Sequence, residues 1–181
     1  ELVYNQEGTG LKDKLTFFAY DKNEPSIILG EGATGKVILA QDIEQAKLVA
    51  LKLQELTTET QFNDLSRERR NLSKTQSLIG IAKMGENIHL TAMEYHRGLT
   101  LLHVLYNFDK SKHKESPEYF QKADLDLARR LELVILACKA LIFIHELKLV
   151  HRDIKPANLI FVRKWQIDEL KFVDFGSSVD L

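Results

Sequence analysis

The chain has 181 residues with 25 Lys and Arg against 26 Asp and Glu, six His, one Cys, and 44% of positions hydrophobic. A chain of this length buries roughly 70% of the surface its unfolded form exposes, so it supports a true core in one domain or two small lobes. A net charge of −1 excludes a general attraction to nucleic acid or anionic lipid, each of which needs a concentrated positive field, and the lone Cys138 excludes a disulfide-stapled scaffold.

Residues 1–25 read as an N-terminal extension, without an initiator Met or a signal-like pattern. Short β-type runs follow at Ser26–Gly30, Lys36–Gln41 and Leu48–Leu53. A helix is expected over Glu59–Thr75, where Phe62, Leu65, Leu72 and the stem of Arg69 recur at three- and four-residue spacing. Two more runs, Leu78–Lys83 and Ile88–Met93, flank Gly85-Glu86-Asn87, a hairpin signal, and complete an antiparallel meander. After Gly98 the pattern turns helical, with a short segment Thr100–Asn107, a charged loop Phe108–Ala123 and a long helix from about Asp124 to Glu146. Its residues Leu127, Leu131, Val134, Ile135, Cys138, Leu141, Ile142 and His145 repeat at helical spacing and are expected to face the core, which makes Cys138 a buried, inert thiol. The most apolar stretch, Leu133 to Ile144, is interrupted by Lys139 and is shorter than the ~20 residues that span a bilayer. Two strands, Leu159–Val162 and Leu170–Val173, turn near Lys164-Trp165, with Trp165 a packing residue.

Chemistry concentrates in a few places. Glycines at 30, 32 and 35 in Leu29-Gly30-Glu31-Gly32-Ala33-Thr34-Gly35-Lys36-Val37 allow backbone N–H groups to approach an anion. The run falls short of a Walker A loop, because Val37 stands where Ser or Thr is needed and an apolar strand follows instead of a helix. In Val49-Ala50-Leu51-Lys52 a lysine sits on an apolar strand. Glu68 lies on the same helix stripe as Leu65 and Leu72, so a helix packed on the sheet could present its carboxylate to Lys52. Downstream, His151-Arg152-Asp153-Ile154-Lys155-Pro156-Ala157-Asn158 and Asp174-Phe175-Gly176 supply a carboxylate to orient a hydroxyl, oxygen ligands for Mg²⁺ and a cation for developing charge.

With glycine loop, strand lysine, HRD loop and DFG motif in order, the chain resembles the eukaryotic-type protein kinases from about Ile27 to Gly176. The resemblance implies an α+β protein-kinase-like fold. Its small lobe, 26–95, would hold an antiparallel sheet plus one helix, and 96–181 would begin a mainly helical large lobe. It implies that Gly30, Glu31, Gly32, Ala33, Thr34 and Gly35 cover the phosphates of ATP, that Leu29 also belongs to the nucleotide site, and that Lys52, held by Glu68, contacts the α- and β-phosphates. Asp153 is then the catalytic base, Lys155 neutralises the transferring group, and Asn158 and Asp174 hold Mg²⁺. Val37, Ala50 and Ile160 would enclose the adenine, Met93 would stand behind it as gatekeeper, and the backbone of Glu94 and His96 would bond its edge. Leu72, His151 and Phe175 would belong to a hydrophobic stack.

Lys155 resembles the Ser/Thr-specific pattern, so the implied partner is a protein with a Ser or Thr acceptor, in the cytoplasm or in a host cytosol, with no nucleic acid and no membrane segment. Departures from the family are Thr34 at the loop tip, where an aromatic is common, Arg97-Gly98 for the frequent Gly-Gly, and a long Phe108–Ala123 loop. The family's pattern continues into an activation segment and further helices, so a piece of a longer kinase is expected. Alternatives from other classes are a pseudokinase scaffold, disfavoured because Lys52, Asp153 and Asp174 are all present, and a small-molecule kinase of the same fold.

Overall fold

The computed structural model describes residues 18–19, 28–32, 35–42, 45–84, 86–106, 126–164 and 167–181. Ala33, Thr34, Trp165, the loop 108–123 and most of the expected extension lie outside them. The chain divides into two units, Glu1–Tyr95 and His96–Leu181.

In the first unit, strands β2 (Ile28–Gly32), β3 (Gly35–Asp42), β4 (Lys47–Glu55), β5 (Leu78–Met84) and β6 (Ile88–Glu94) pair antiparallel, with β4 between β3 and β6. A two-residue strand within the expected extension, β1 (Phe18–Ala19), adds to β3 opposite Asp42 and Gln41. Because side chains alternate along each strand, the register sorts residues onto two faces. Ile38, Leu51 and Ala92 are mutual partners on one face, as are Leu53, Leu90 and Ala82. They belong to an apolar cluster in which Val49, Leu51 and Leu90 are fully buried. The opposite face carries Val37 beside Lys52 beside Thr91, and Leu39 beside Ala50 beside Met93. Four of the expected nucleotide residues, Val37, Ala50, Lys52 and Met93, thus share a face through register alone.

Helix α1 (Glu59–Lys74) begins with a capping box: Thr58 Oγ1 accepts from Gln61 N–H and the Gln61 side chain accepts from Thr58 N–H. Its buried residues are Leu65, Glu68, Asn71 and Leu72, one stripe at helical spacing. Phe62, also expected on the stripe, stays 39% exposed and meets His89 edge-on.

The second unit contains β7 (Leu99–Thr100), α2 (Leu101–Tyr106), α3 (Leu127–Glu146), β8 (Leu149–Val150), β9 (Leu159–Lys164), β10 (Ile167–Phe172) and β11 (Val179–Asp180). β9 lies between β10 and β7, and β11 pairs with β8. Gly98 precedes β7 where a Cβ would come within 2.0 Å of Phe161 O, so any side chain there would push β7 from β9. Asp126 caps α3, accepting from Arg129 N–H at 2.8 Å.

The expected face of α3 is corrected. Leu127, Leu131, Val134, Ile135 and Ile142 are each more than half exposed, and Cys138 is exposed rather than buried. Leu133, Ala140 and Ile144 are the buried residues, with Leu136 and Ala137 half-buried between them, and this stripe packs on β10 and β8. The helix is apolar on nearly every side, so periodicity alone does not select its inner face. The small side chains of Ala137 and Ala140 let the backbone come close to the strands. Among the described residues no helix is long and apolar enough to cross a membrane.

Candidate active site

The glycine loop is the β2–β3 hairpin, with Gly30 opposite Val37, Glu31 opposite Lys36 and Gly32 opposite Gly35. Leu29, Gly30, Glu31 and Gly32 are all exposed. The three glycines have different physical reasons. Gly35 has φ +126°, and a Cβ would sit 2.2 Å from Leu53 O, so the fold itself demands glycine. At Gly30 and Gly32 no described residue other than the chain neighbours lies within 4 Å of a Cβ. That open space suits the close approach of a ligand's phosphates to the backbone.

Lys52 Nζ donates to Glu68 Oε1 at 2.6 Å, with the two side chains 6% and 5% exposed. The spacing that suggested this pair is realised because α1 lies on the Lys52 face of the sheet. Beside Glu68, Arg69 crosses to β6, where Nε donates to Thr91 Oγ1 at 3.0 Å and Nη2 to Leu90 O at 2.9 Å. Burial lowers its guanidinium to about 10 against the opposing influence of Glu68, so it stays charged at neutral pH. Sequence reasoning noticed only its stem. Ala50 is 8% exposed, and Val37 and Met93 are half-buried. Glu94 N–H is used within the fold, donating to Ser77 O at 2.8 Å.

In the second unit the HRD loop follows β8 and the DFG turn follows β10. Hydrogen bonds join them. His151 Nε2 lies 3.1 Å from Val173 O, Val173 N–H donates to Asn158 O at 3.0 Å, and Ser178 Oγ donates to His151 O at 3.2 Å. Val173 O can only accept, so Nε2 carries the proton, and Nδ1 accepts from Asp153 N–H at 3.3 Å. The neutral imidazole satisfies both. Burial holds His151 below its ordinary value, and its ring lies 4.8 Å from that of Phe172 and 5.3 Å from that of Phe175. His151 is therefore an internal strut, with the Phe175 contact expected of a hydrophobic stack.

This strut presents a polar cluster. Asp153 Oδ2 accepts from Lys155 Nζ at 2.7 Å and from Asn158 Nδ2 at 2.9 Å, and Nδ2 also donates to Asp153 O at 3.0 Å. The bond from Lys155, and after it that from Asn158, holds the Asp153 carboxyl below the usual carboxylate range, while Lys155 is raised by the same bond. Asp174 is exposed and has φ 64°, ψ 76°, and Arg152 has φ 62°. Left-handed backbone at two non-glycine residues marks conformations that the surrounding structure must enforce. For Arg152 one such restraint is its Nε bond to Ser177 O at 2.6 Å. Phe175, 3% exposed, anchors the DFG turn beyond Asp174. Ile160 is half-buried on β9, and His96 is buried.

An antiparallel sheet with one helix ion-paired to a strand lysine occupies the first unit, and the second unit displays Asp153, Lys155, Asn158 and Asp174 on adjoining loops. Residues 24–181 match the model of the protein kinase domain family, and the chain belongs to that family. It is 30% identical to the serine/threonine-protein kinase PknB of Mycobacterium leprae over 86% of this chain and 24% of that protein. It is likewise 30% identical to the serine/threonine-protein kinase ppk11 of Schizosaccharomyces pombe over 85% of this chain and 46% of that protein. With calcium-dependent protein kinase 3 of Oryza sativa it shares 29% over 98% of this chain and 30% of that protein. The chain thus spans between about a quarter and just under half the length of these relatives.

Proposed function

We propose that the protein transfers the γ-phosphoryl group of ATP to Ser or Thr hydroxyls of protein substrates, with Mg²⁺ as cofactor. The observation that carries this reading is the Asp153 carboxylate held by both Lys155 Nζ and Asn158 Nδ2. Asp153 is kept ionised, so it can accept the hydrogen bond of an incoming hydroxyl and orient its oxygen toward the phosphorus. Lys155, two residues on and half exposed, supplies positive charge next to that base, where a phosphoryl group gains negative charge in transfer. Lys52, fixed by Glu68, offers an ammonium to phosphate oxygens, and the space over Gly30 and Gly32 admits them to the backbone.

The residues fit Mg²⁺. The Asn158 amide uses Nδ2 for its bonds to Asp153, which leaves its oxygen as the end to offer, and Asp174 adds an exposed carboxylate. Two protein oxygens suit an ion that keeps waters and binds substrate phosphates rather than a full protein cage. When bound, the ion neutralises charge on the β- and γ-phosphates. The lysine at 155 and the names of the relatives favour Ser and Thr over Tyr. A single cysteine and the need for ATP favour the cytosol.

The test is transfer of labelled phosphate from ATP to a mixed Ser/Thr peptide substrate by the full-length protein. Asp153→Asn is expected to lower the rate by about 10³-fold, with Lys52→Ala and Asp174→Asn comparably impaired. Unchanged activity in all three refutes the assignment. A folded wild type that binds ATP and transfers nothing establishes the scaffold reading instead.

A further inference from the structure

Lys52, Glu68, Arg69 and Thr91 form a closed ring, and we propose that Arg69 is the residue that positions α1 so that Glu68 holds Lys52 in place. The link from Lys52 to Glu68 is the 2.6 Å ion pair, Glu68 and Arg69 are successive on α1, Arg69 Nε reaches Thr91 Oγ1 at 3.0 Å, and Thr91 is the direct strand partner of Lys52. Arg69 Nη2 adds a bond to Leu90 O, on the neighbouring residue of β6. The helix is therefore tied to two adjacent strands by two consecutive side chains.

The geometry explains why one tie is insufficient. Consecutive helical residues point about 100° apart, so Glu68 and Arg69 leave the axis in different directions and together fix the roll of the helix as well as its distance. The apolar contacts of Leu65 and Leu72 attract α1 to the sheet but lack direction. The Lys52–Glu68 pair alone can follow a rolling helix, because both side chains are long and flexible. A guanidinium differs, since its planar fork presents donors at fixed divergent angles, and here two of them meet a hydroxyl and a carbonyl. Thr91 is 1% exposed, so a helix that rolled away would strand a buried hydroxyl. Arg69 touches neither phosphate nor acceptor in this scheme. It acts on transfer through Glu68 and Lys52, and that consequence rests on the kinase reading; the positioning of α1 does not.

The experiment therefore reads both. Spin labels at Asn63→Cys on α1 and Glu55→Cys at the end of β4, both exposed positions, are introduced in full-length protein with Cys138→Ser. Pulsed dipolar spectroscopy then reports the spread of helix-to-sheet distances, with and without ATP. A narrow wild-type distribution is expected to broaden in Arg69→Gln and, to a smaller degree, in Thr91→Val, but not in Arg70→Gln, which changes the exposed neighbour. In the unlabelled protein, kcat for Arg69→Gln is expected to fall about tenfold, as small misplacements of catalytic groups do. In a Glu68→Gln background the same change should cost nothing further. A distribution as narrow in both variants as in wild type, or a full tenfold loss that persists without Glu68, overturns the proposal. If Arg69→Gln fails to fold, Thr91→Val decides alone. A wild type that transfers no phosphate while the broadening holds refutes the kinase reading and leaves the positioning role standing.

Discussion

Two ion pairs of nearly equal length serve the two units in opposite ways. Lys52–Glu68, at 2.6 Å, is buried between a helix and a strand, with side chains 6% and 5% exposed. Lys155–Asp153, at 2.7 Å, lies on a loop with side chains 51% and 35% exposed. Burial makes the first pair costly to separate, since either partner left alone keeps an uncompensated charge away from water. Solvent screens the second, so its members can exchange each other for a substrate hydroxyl or a phosphate at small cost. The contrast separates a pair that fixes architecture from one that, in the function proposed above, takes part in transfer. The second is held in place by the backbone beneath it, through His151, Val173 and Asn158.

The largest stability effect is expected at the buried pair. Glu68→Gln should destabilise the protein by about 3 kcal/mol, whereas Lys155→Ala should leave the denaturation midpoint unchanged and lower only phosphoryl transfer. Equal midpoints for the two variants in urea titration would erase the contrast. The glycine loop offers a somewhat smaller effect. Gly35→Ala, which drives a methyl into Leu53 O, is expected to cost about 2 kcal/mol. Gly32→Ala, with open space around it, should spare stability and raise KM for ATP; a stable Gly35→Ala protein is the result that contradicts this.

The smallest expected effect is the pH response of the strut under the exposed pair. Burial depresses His151 below its ordinary value of 6.5, so the unfolded chain takes up a proton that the folded one excludes. Its contribution is complete above about pH 6.5 and declines as pH falls from there toward the lower folded-state value. Stability measured between pH 7.5 and 5 should fall less steeply in His151→Phe than in wild type. The remaining slope belongs to groups such as His89, also depressed, first by burial and then by Arg69 and Lys83. Identical slopes in variant and wild type would show that His151 is not excluded from protonation by the fold.

The two long helices show how far the sequence could be read. In α1 the apolar residues Leu65 and Leu72 are few and set among charges, so their spacing identifies one face, and Glu68 on that face finds Lys52. In α3 apolar residues surround the axis, and the stripe that periodicity favours, through Leu131, Val134, Ile135 and Cys138, is the exposed one. Polar side chains carry positional information because burying them is expensive. In α3 the exposed Arg130, Glu132 and Lys139 are set among exposed apolar residues and do not mark off one outer face. The two-residue strands Leu99–Thr100, Leu149–Val150 and Val179–Asp180 were illegible for a related reason: runs so short have no period, and each exists only because a partner strand lies beside it.

By itself the sequence determined the order and identity of the chemical groups: the spaced glycines, Lys52, Glu68, Asp153, Lys155, Asn158 and Asp174. Those are properties of residue type and local spacing, and they were enough to indicate the protein kinase family. Only the tertiary structure decided that Arg69 reaches Thr91, that His151 is neutral with its proton on Nε2, that Asp174 takes left-handed backbone, and which side of α3 is buried. Each of these depends on what distant segments place opposite a residue. Hydrogen-bond direction, burial and backbone strain are properties of neighbours in space, and local sequence pattern does not encode them.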